Sequence, residues 1–189
     1  MSNQSEFFLS LNSNTKTMKK ITFLLLLFFF AAVSAQDNFD LSTLRIGPFH
    51  LKMDMKEADK IAGKKILADN KYNSPTPVNY KGEIINMYVW ESSDSEKGTT
   101  RNIGNISTTS KKFRTKSGIG VGSTKDQLID AYRNFSSFAV YPGWNDDGTV
   151  NKTESYFTLT DVDANTTLSF KMKNNVVVEV TVSYNEDGC

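Results

Sequence analysis

One cysteine and one histidine stand among the 189 residues, and each scarcity excludes a class of protein. A single thiol cannot staple the chain to itself, and it denies the Cys-rich zinc sites their ligands. A single imidazole rules out His-clustered metal centres. It also leaves His50 as the only imidazole base, and its apolar neighbours Phe49 and Leu51 mark it as a strand residue rather than a catalytic one. Charge of one sign is missing too. With 22 Lys+Arg against 21 Asp+Glu, the chain offers no basic field for nucleic acid or an anionic membrane surface. What remains, 39% hydrophobic and 12% aromatic residues, is ordinary material for a folded core.

Only one hydrophobic run is long, and it falls short of a membrane span. Ile21 to Val33 is well under the ~20 apolar residues that cross a hydrocarbon core. Met18-Lys19-Lys20 precedes it and Ala31-Ala32-Val33-Ser34-Ala35 follows, which is the layout of a secretory leader cleaved after Ala35. Residues 18–35 therefore read as a signal peptide and 1–17 as a non-native or disordered extension before the true start. The expected location is the periplasm or outside the cell, with no retained transmembrane segment. In such an oxidising compartment the terminal Cys189 can cross-link two chains into a dimer.

A weak internal repeat appears at a shift of 70. Phe49 to Asp54 aligns with Ile119 to Thr124, and each is followed by a helical pattern. Asp54 caps the first helix with Glu57 three residues on, and Gly63 stops it. Ser123 or Thr124 caps the second, where Asp126 suits the helix dipole and Leu128, Ile129 and Tyr132 form an apolar face. Period-2 alternation then predicts strands at 84–90, 154–160, 167–173 and 176–184, with 137–141 a further candidate. Asn174-Asn175 predicts a two-residue hairpin and Asp161 to Thr166 a turn. Ser92 to Thr100 reads as a polar loop, and further strands are expected near 103–107 and 111–115. The expected class is α+β, two related units at 36–116 and 117–189, each a short helical segment on an antiparallel sheet.

Gly118-Ile119-Gly120-Val121-Gly122-Ser123-Thr124-Lys125-Asp126-Gln127-Leu128, with the hairpin Phe170 to Val177, resembles small exported envelope domains of the BamE-like and β-lactamase-inhibitor-protein-like type, sometimes found in tandem. The resemblance covers about 70 residues of the second unit, and Lys52 stands where the first would need Gly. It implies helices on an antiparallel sheet and a protein partner. It assigns no contact residue.

Chemical motifs fail on register. After Gly122 come Ser and Thr, with Lys third, so the 118–125 segment is not a phosphate loop. Asp161-Val162-Asp163-Ala164-Asn165 starts like a calcium loop, but Thr166 replaces the required Gly and Met172 the closing Glu. No Gly-x-Ser-x-Gly elbow occurs. These absences leave no catalytic residue, cofactor or metal to assign. Tyr141, Trp144, Asn145, Asp146 and Asp147 form the candidate binding segment, since aromatic and hydrogen-bonding groups on a loop tip are contact chemistry. The alternative for Trp144 is that it folds back over the sheet edge. Three functions follow: a non-enzymatic interaction module whose partner is another envelope or secreted protein, a carboxylate-dependent hydrolase of glycan or peptide, or a structural envelope protein without a ligand.

Overall fold

The computed structural model describes residues 38–67, 74–94 and 98–185. The leader at 18–35, the 1–17 extension and the Cys189 cross-link lie outside the described residues. A tight pair, β1 (Arg45–Ile46) and β2 (Phe49–His50), comes first and leads into α1 (Met55–Ala62). The strands β3 (Thr76–Tyr80), β4 (Glu83–Asp94) and β5 (Gly98–Thr108) follow. After α2 (Lys125–Tyr132) come β6 (Phe138–Trp144), β7 (Val150–Asp161), β8 (Thr166–Lys173) and β9 (Val176–Tyr184). Among the described residues no helix is long and apolar enough to cross a membrane.

The expected α+β class of two helix-on-sheet units is overturned. Seven strands form one antiparallel sheet in the order β3-β4-β5-β9-β8-β7-β6, accompanied among the described residues by two helices of eight residues each. The architecture is mostly β. The seam that merges the expected halves is the pairing of β5 with β9, Asn105 to Thr108 against Ser183 to Val180. Periodicity could not show this, because it reports which face of a strand is buried and not which strand lies alongside.

The segments before the helices extend the same seam. Lys52 N–H donates to the Ile103 carbonyl at 2.8 Å and Ile103 N–H to Met53 at 3.0 Å. Gly122 N–H likewise donates to Val177 at 2.8 Å and Val177 N–H to Ser123 at 2.9 Å. Both helices begin on a side-chain cap, which supplies a partner for otherwise unsatisfied N–H groups. Asp54 accepts from Lys56 N–H, and Gly63 ends α1 in the left-handed region at φ +67°. Thr124 accepts from Gln127 N–H while the Gln127 side chain accepts from Thr124 N–H, a reciprocal box. Ser123 instead accepts from Gly120 N–H.

The polar loop expected at 92–100 is largely strand. β4 continues to Asp94 and β5 starts at Gly98, forming a two-stranded arm beyond the point where β9 ends. On β5 its residues Gly98 to Asn102 are exposed or half-buried, so they need no apolar alternation and the pattern had nothing to register there. The strand expected at 111–115 is absent. Arg114 makes a single bridge to Asp40, and Phe113 is buried as a plug against Phe39. The Asn174-Asn175 turn forms with both residues at positive φ, 51° and 63°, as a two-residue hairpin requires.

Among the described residues, every buried apolar side chain belongs to one cluster, which takes in one face of the sheet. Met55 and Ala58 of α1 join it, as do Leu128 and Tyr132 of α2. Tyr132 packs within 6.2 Å of Phe157 and 6.4 Å of Phe170 by ring centroid, which puts α2 on that face. Phe49 packs against Tyr80, so the β1–β2 pair covers the same side. All described helices therefore bury one face, and they leave the other without cover from the described elements.

Candidate functional site

The uncovered face has a consistent chemistry. Register carries one rung across all seven strands: Pro77, Asn86, Ser107, Thr181, Ser169, Thr158 and Ala139. The adjacent rung runs Tyr88, Asn105, Ser183, Thr167, Thr160. On the other side lie Glu179, Lys171, Tyr156 and Tyr141. A band of hydroxyl and amide groups thus crosses the sheet, with tyrosines at opposite corners. Lys171 sits 3.4 Å from Glu154 across the strand pair, and desolvation opposes its charge. The Tyr156, Glu154 and Glu179 groups around it outweigh that effect and raise its pKa.

Next to this face, β6 and β7 continue as a second arm. The register breaks between Pro142 and Gly143, where Asn151 rather than the next residue in sequence opposes Gly143. Asn151 holds the resulting bulge, since its Oδ1 accepts from Thr153 N–H, Thr153 Oγ1 and Glu154 N–H. Gly143 is required there. A Cβ at that position would lie 2.7 Å from the Glu154 Cβ.

The five candidate residues divide in two. Asn145 and Asp147 build the tip. Asn145 N–H donates to the Thr149 carbonyl at 2.8 Å and its Nδ2 to Thr149 Oγ1 at 2.9 Å. Asp147 Oδ1 accepts from Thr149 N–H at 2.9 Å and from its hydroxyl at 2.6 Å, bonds that hold its carboxyl below the usual range. Trp144, Tyr141 and Asp146 face solvent. Trp144 is 64% exposed and Tyr141 52%, so the indole does not fold back over the sheet edge. The Tyr141 side chain belongs to the open face, while Trp144 lies beyond the bulge on the arm.

A second aromatic group lies outside the candidate segment. Trp90 lies flat over the bulge residue Gly104 and meets Tyr184 at 5.2 Å with a 30° tilt, and the Lys52 ammonium sits 5.2 Å above the Tyr184 ring. Burial pushes the Tyr184 phenol pKa up, and its hydroxyl has no hydrogen-bond partner. An isolated Gly inside a strand pattern was the available signal. The open face was half legible, because the apolar parity of Leu168, Phe170 and Met172 implies a polar parity at Thr167, Ser169 and Lys171.

Two open hollows exist beside the helix starts. One, of about 440 Å³, is lined by Thr124, Lys125, Asp126, Asn174, Asn175 and Val176. The other, of about 340 Å³, includes Asp54 and Asp59. Both of those carboxylates hold backbone, Asp54 the N–H of Lys56 and Asp59 the N–H of Ile66, each at 2.7 Å. Among the described residues no three His, Cys, Asp or Glu side chains gather as a metal site. His50 Nδ1 lies 2.8 Å from the Leu51 carbonyl, which fixes the imidazole to its own strand.

Comparison with protein-family models, curated proteins and solved structures finds no match to this chain.

Proposed function

We infer that this protein is an exported, non-enzymatic interaction module that binds another envelope or secreted protein through its uncovered sheet face and the adjoining Tyr141–Trp144 arm. The observation that carries the reading is the band of Ser, Thr and Asn that runs over five adjacent strands, from Asn86 on β4 to Thr158 on β7, between Tyr88 and the Tyr156–Tyr141 pair. Tyrosine offers large contact area with few rotors, and short hydroxyl and amide groups adapt their hydrogen bonds. This is the composition of protein-binding paratopes. Export rests on the leader pattern at 18–35, and the likeness of 118–128 and 170–177 to exported binding modules points the same way.

The test places a photo-crosslinking side chain at Ser169 on the open face, at Trp144 on the arm, or at Glu57 on the helix side, in cells of the native host. A discrete adduct with a second protein from Ser169 and Trp144, absent from Glu57, supports the reading. Equal labelling from all three positions, or adducts only with itself, defeats it. Mass spectrometry of the recovered protein checks export, with an N-terminus at Gln36 expected.

A further inference from the structure

The two edges of the sheet are finished differently. At β3 the turn Lys81-Gly82 has both residues at positive φ, so Tyr80 and Glu83 form the hydrogen-bonded pair that closes a two-residue hairpin. Counting back by alternation, Pro77 and Asn79 direct their backbone groups outward. Pro77 has no N–H, so this edge lacks one of the two donors that its outward positions would otherwise present. At β6 the Thr160 N–H donates to the Ser137 carbonyl at 2.9 Å, which fixes the opposite alternation. Residues 139 and 141 bond to β7, while Phe138 and Val140 turn both N–H and C=O to the open edge before Pro142 ends the ladder. One edge is blunted and the other is complete over two successive outward positions.

The open edge is also apolar and uncharged. Phe138 and Val140 are about two-fifths exposed, and Phe135 and Ile129 just over one-third. Phe138 stacks on Phe157 and Phe135 packs on Tyr132, two rings already in contact, so the two exposed phenylalanines belong to one aromatic cluster. From Asn134 to Asn145 no residue carries a charge, in a chain where 23% do. Natural sheets protect such edges with Lys, Pro or a covering element. Here protection begins only at Pro142.

We propose that the β6 edge pairs with the β6 edge of a second copy of this chain, antiparallel about a two-fold axis through Ala139, joining two sheets into one of fourteen strands. The occupant is a second copy because the edge is complementary to itself. Phe138 of one chain meets Val140 of the other, each pair exchanges two backbone hydrogen bonds, and the small Ala139 faces its own mate. No like charges meet, and the blunted β3 edge stops the assembly at two. This association is separate from recognition of a partner on the open face, and either can fail without the other.

Sedimentation of the full chain across about 1–100 µM, the range expected of a modest interface, tests it with two charge variants. Wild type is expected to pass from monomer to dimer. Ala139→Lys and Ala139→Glu each set like charges directly opposite, where Cβ atoms are ~5 Å apart, and each should stay monomeric. Mixed in equal amounts, they should dimerise again. Recovery on mixing depends on one chain facing another at this residue, so a folding defect cannot imitate it. A wild type that stays monomeric overturns the proposal. So do dimers of either variant alone that match wild type, or a mixture that does not recover.

Discussion

Gly104→Ala offers a test in which the sign of the effect depends on a neighbour. A Cβ built on Gly104 would lie 2.3 Å from Trp90 Cε2 and 2.4 Å from two further indole atoms. Ordinary carbon contact is ~3.5–4.0 Å, so the ring must lift by more than an ångström. Trp90 is 51% exposed and has room to leave. The loss is then the packing on Gly104 and the contact with Tyr184, the latter worth about 0.5–1.5 kcal/mol. Added strain brings the expected destabilisation to about 1–3 kcal/mol, or roughly 3–10 °C in melting temperature for a protein of this size. Urea unfolding followed by circular dichroism gives the number, and indole emission should shift to the red as the ring is released. In a Trp90→Ala background the clash is gone, and Gly104 has no positive φ to protect. There the same substitution should stabilise by about 0.5–1 kcal/mol, as Gly to Ala in a strand interior ordinarily does. An equal loss in both backgrounds would refute the account, because the harm would then come from the backbone and not from the indole.

Other expectations follow from single contacts. Thr124→Ala removes the acceptor for Gln127 N–H and leaves half of the reciprocal box, so it should lower unfolding free energy by about 1 kcal/mol, while Thr124→Ser should keep most of it. Asn175→Val places a β-branched residue at φ 63° and should destabilise by about 1–2 kcal/mol in urea titrations, whereas Asn175→Gly should be neutral or better. Glu83 is held below the usual carboxylate range by its hydrogen bond from Lys112 and then by that from Ser110. A folded pKa below the unfolded one gives stability that is present above the unfolded value and lost as pH falls through the folded value. Glu83→Gln should therefore flatten the acid limb of the stability profile below about pH 4.5 and leave the region above pH 8 sloping as before.

The sequence disclosed elements better than their arrangement. Helix starts at Asp54 and Thr124, the stop at Gly63 and the Asn174-Asn175 turn rest on local chemistry, namely a cap, a left-handed residue and a two-residue loop. Local chemistry is what a linear pattern carries. The merger of β5 with β9 depends on residues far apart in the chain, such as Ile106 and Val182, and no spacing within either strand reports it. The first arm departs from the pattern for a related reason: the outer residues of β5, Gly98 to Asn102, contribute nothing to the buried cluster, so nothing selects apolar alternation in them. At the candidate site, composition identified the 141–147 segment but could not divide it. Asn145 and Asp147 are occupied with the turn itself, which leaves Tyr141, Trp144 and Asp146 to meet anything else.

The position of β9 has a consequence for how the chain reaches its native state. Among the described residues it is the last strand in chain order, yet it occupies the middle of the sheet, between β5 and β8. On a ribosome or emerging from a translocation pore, β3 to β5 and β6 to β8 can form hairpins early. Each then waits with an exposed edge until β9 arrives to fill the gap between them. Closure of the sheet therefore waits for β9, and a chain stopped before Val176 would present two sticky borders and no centre.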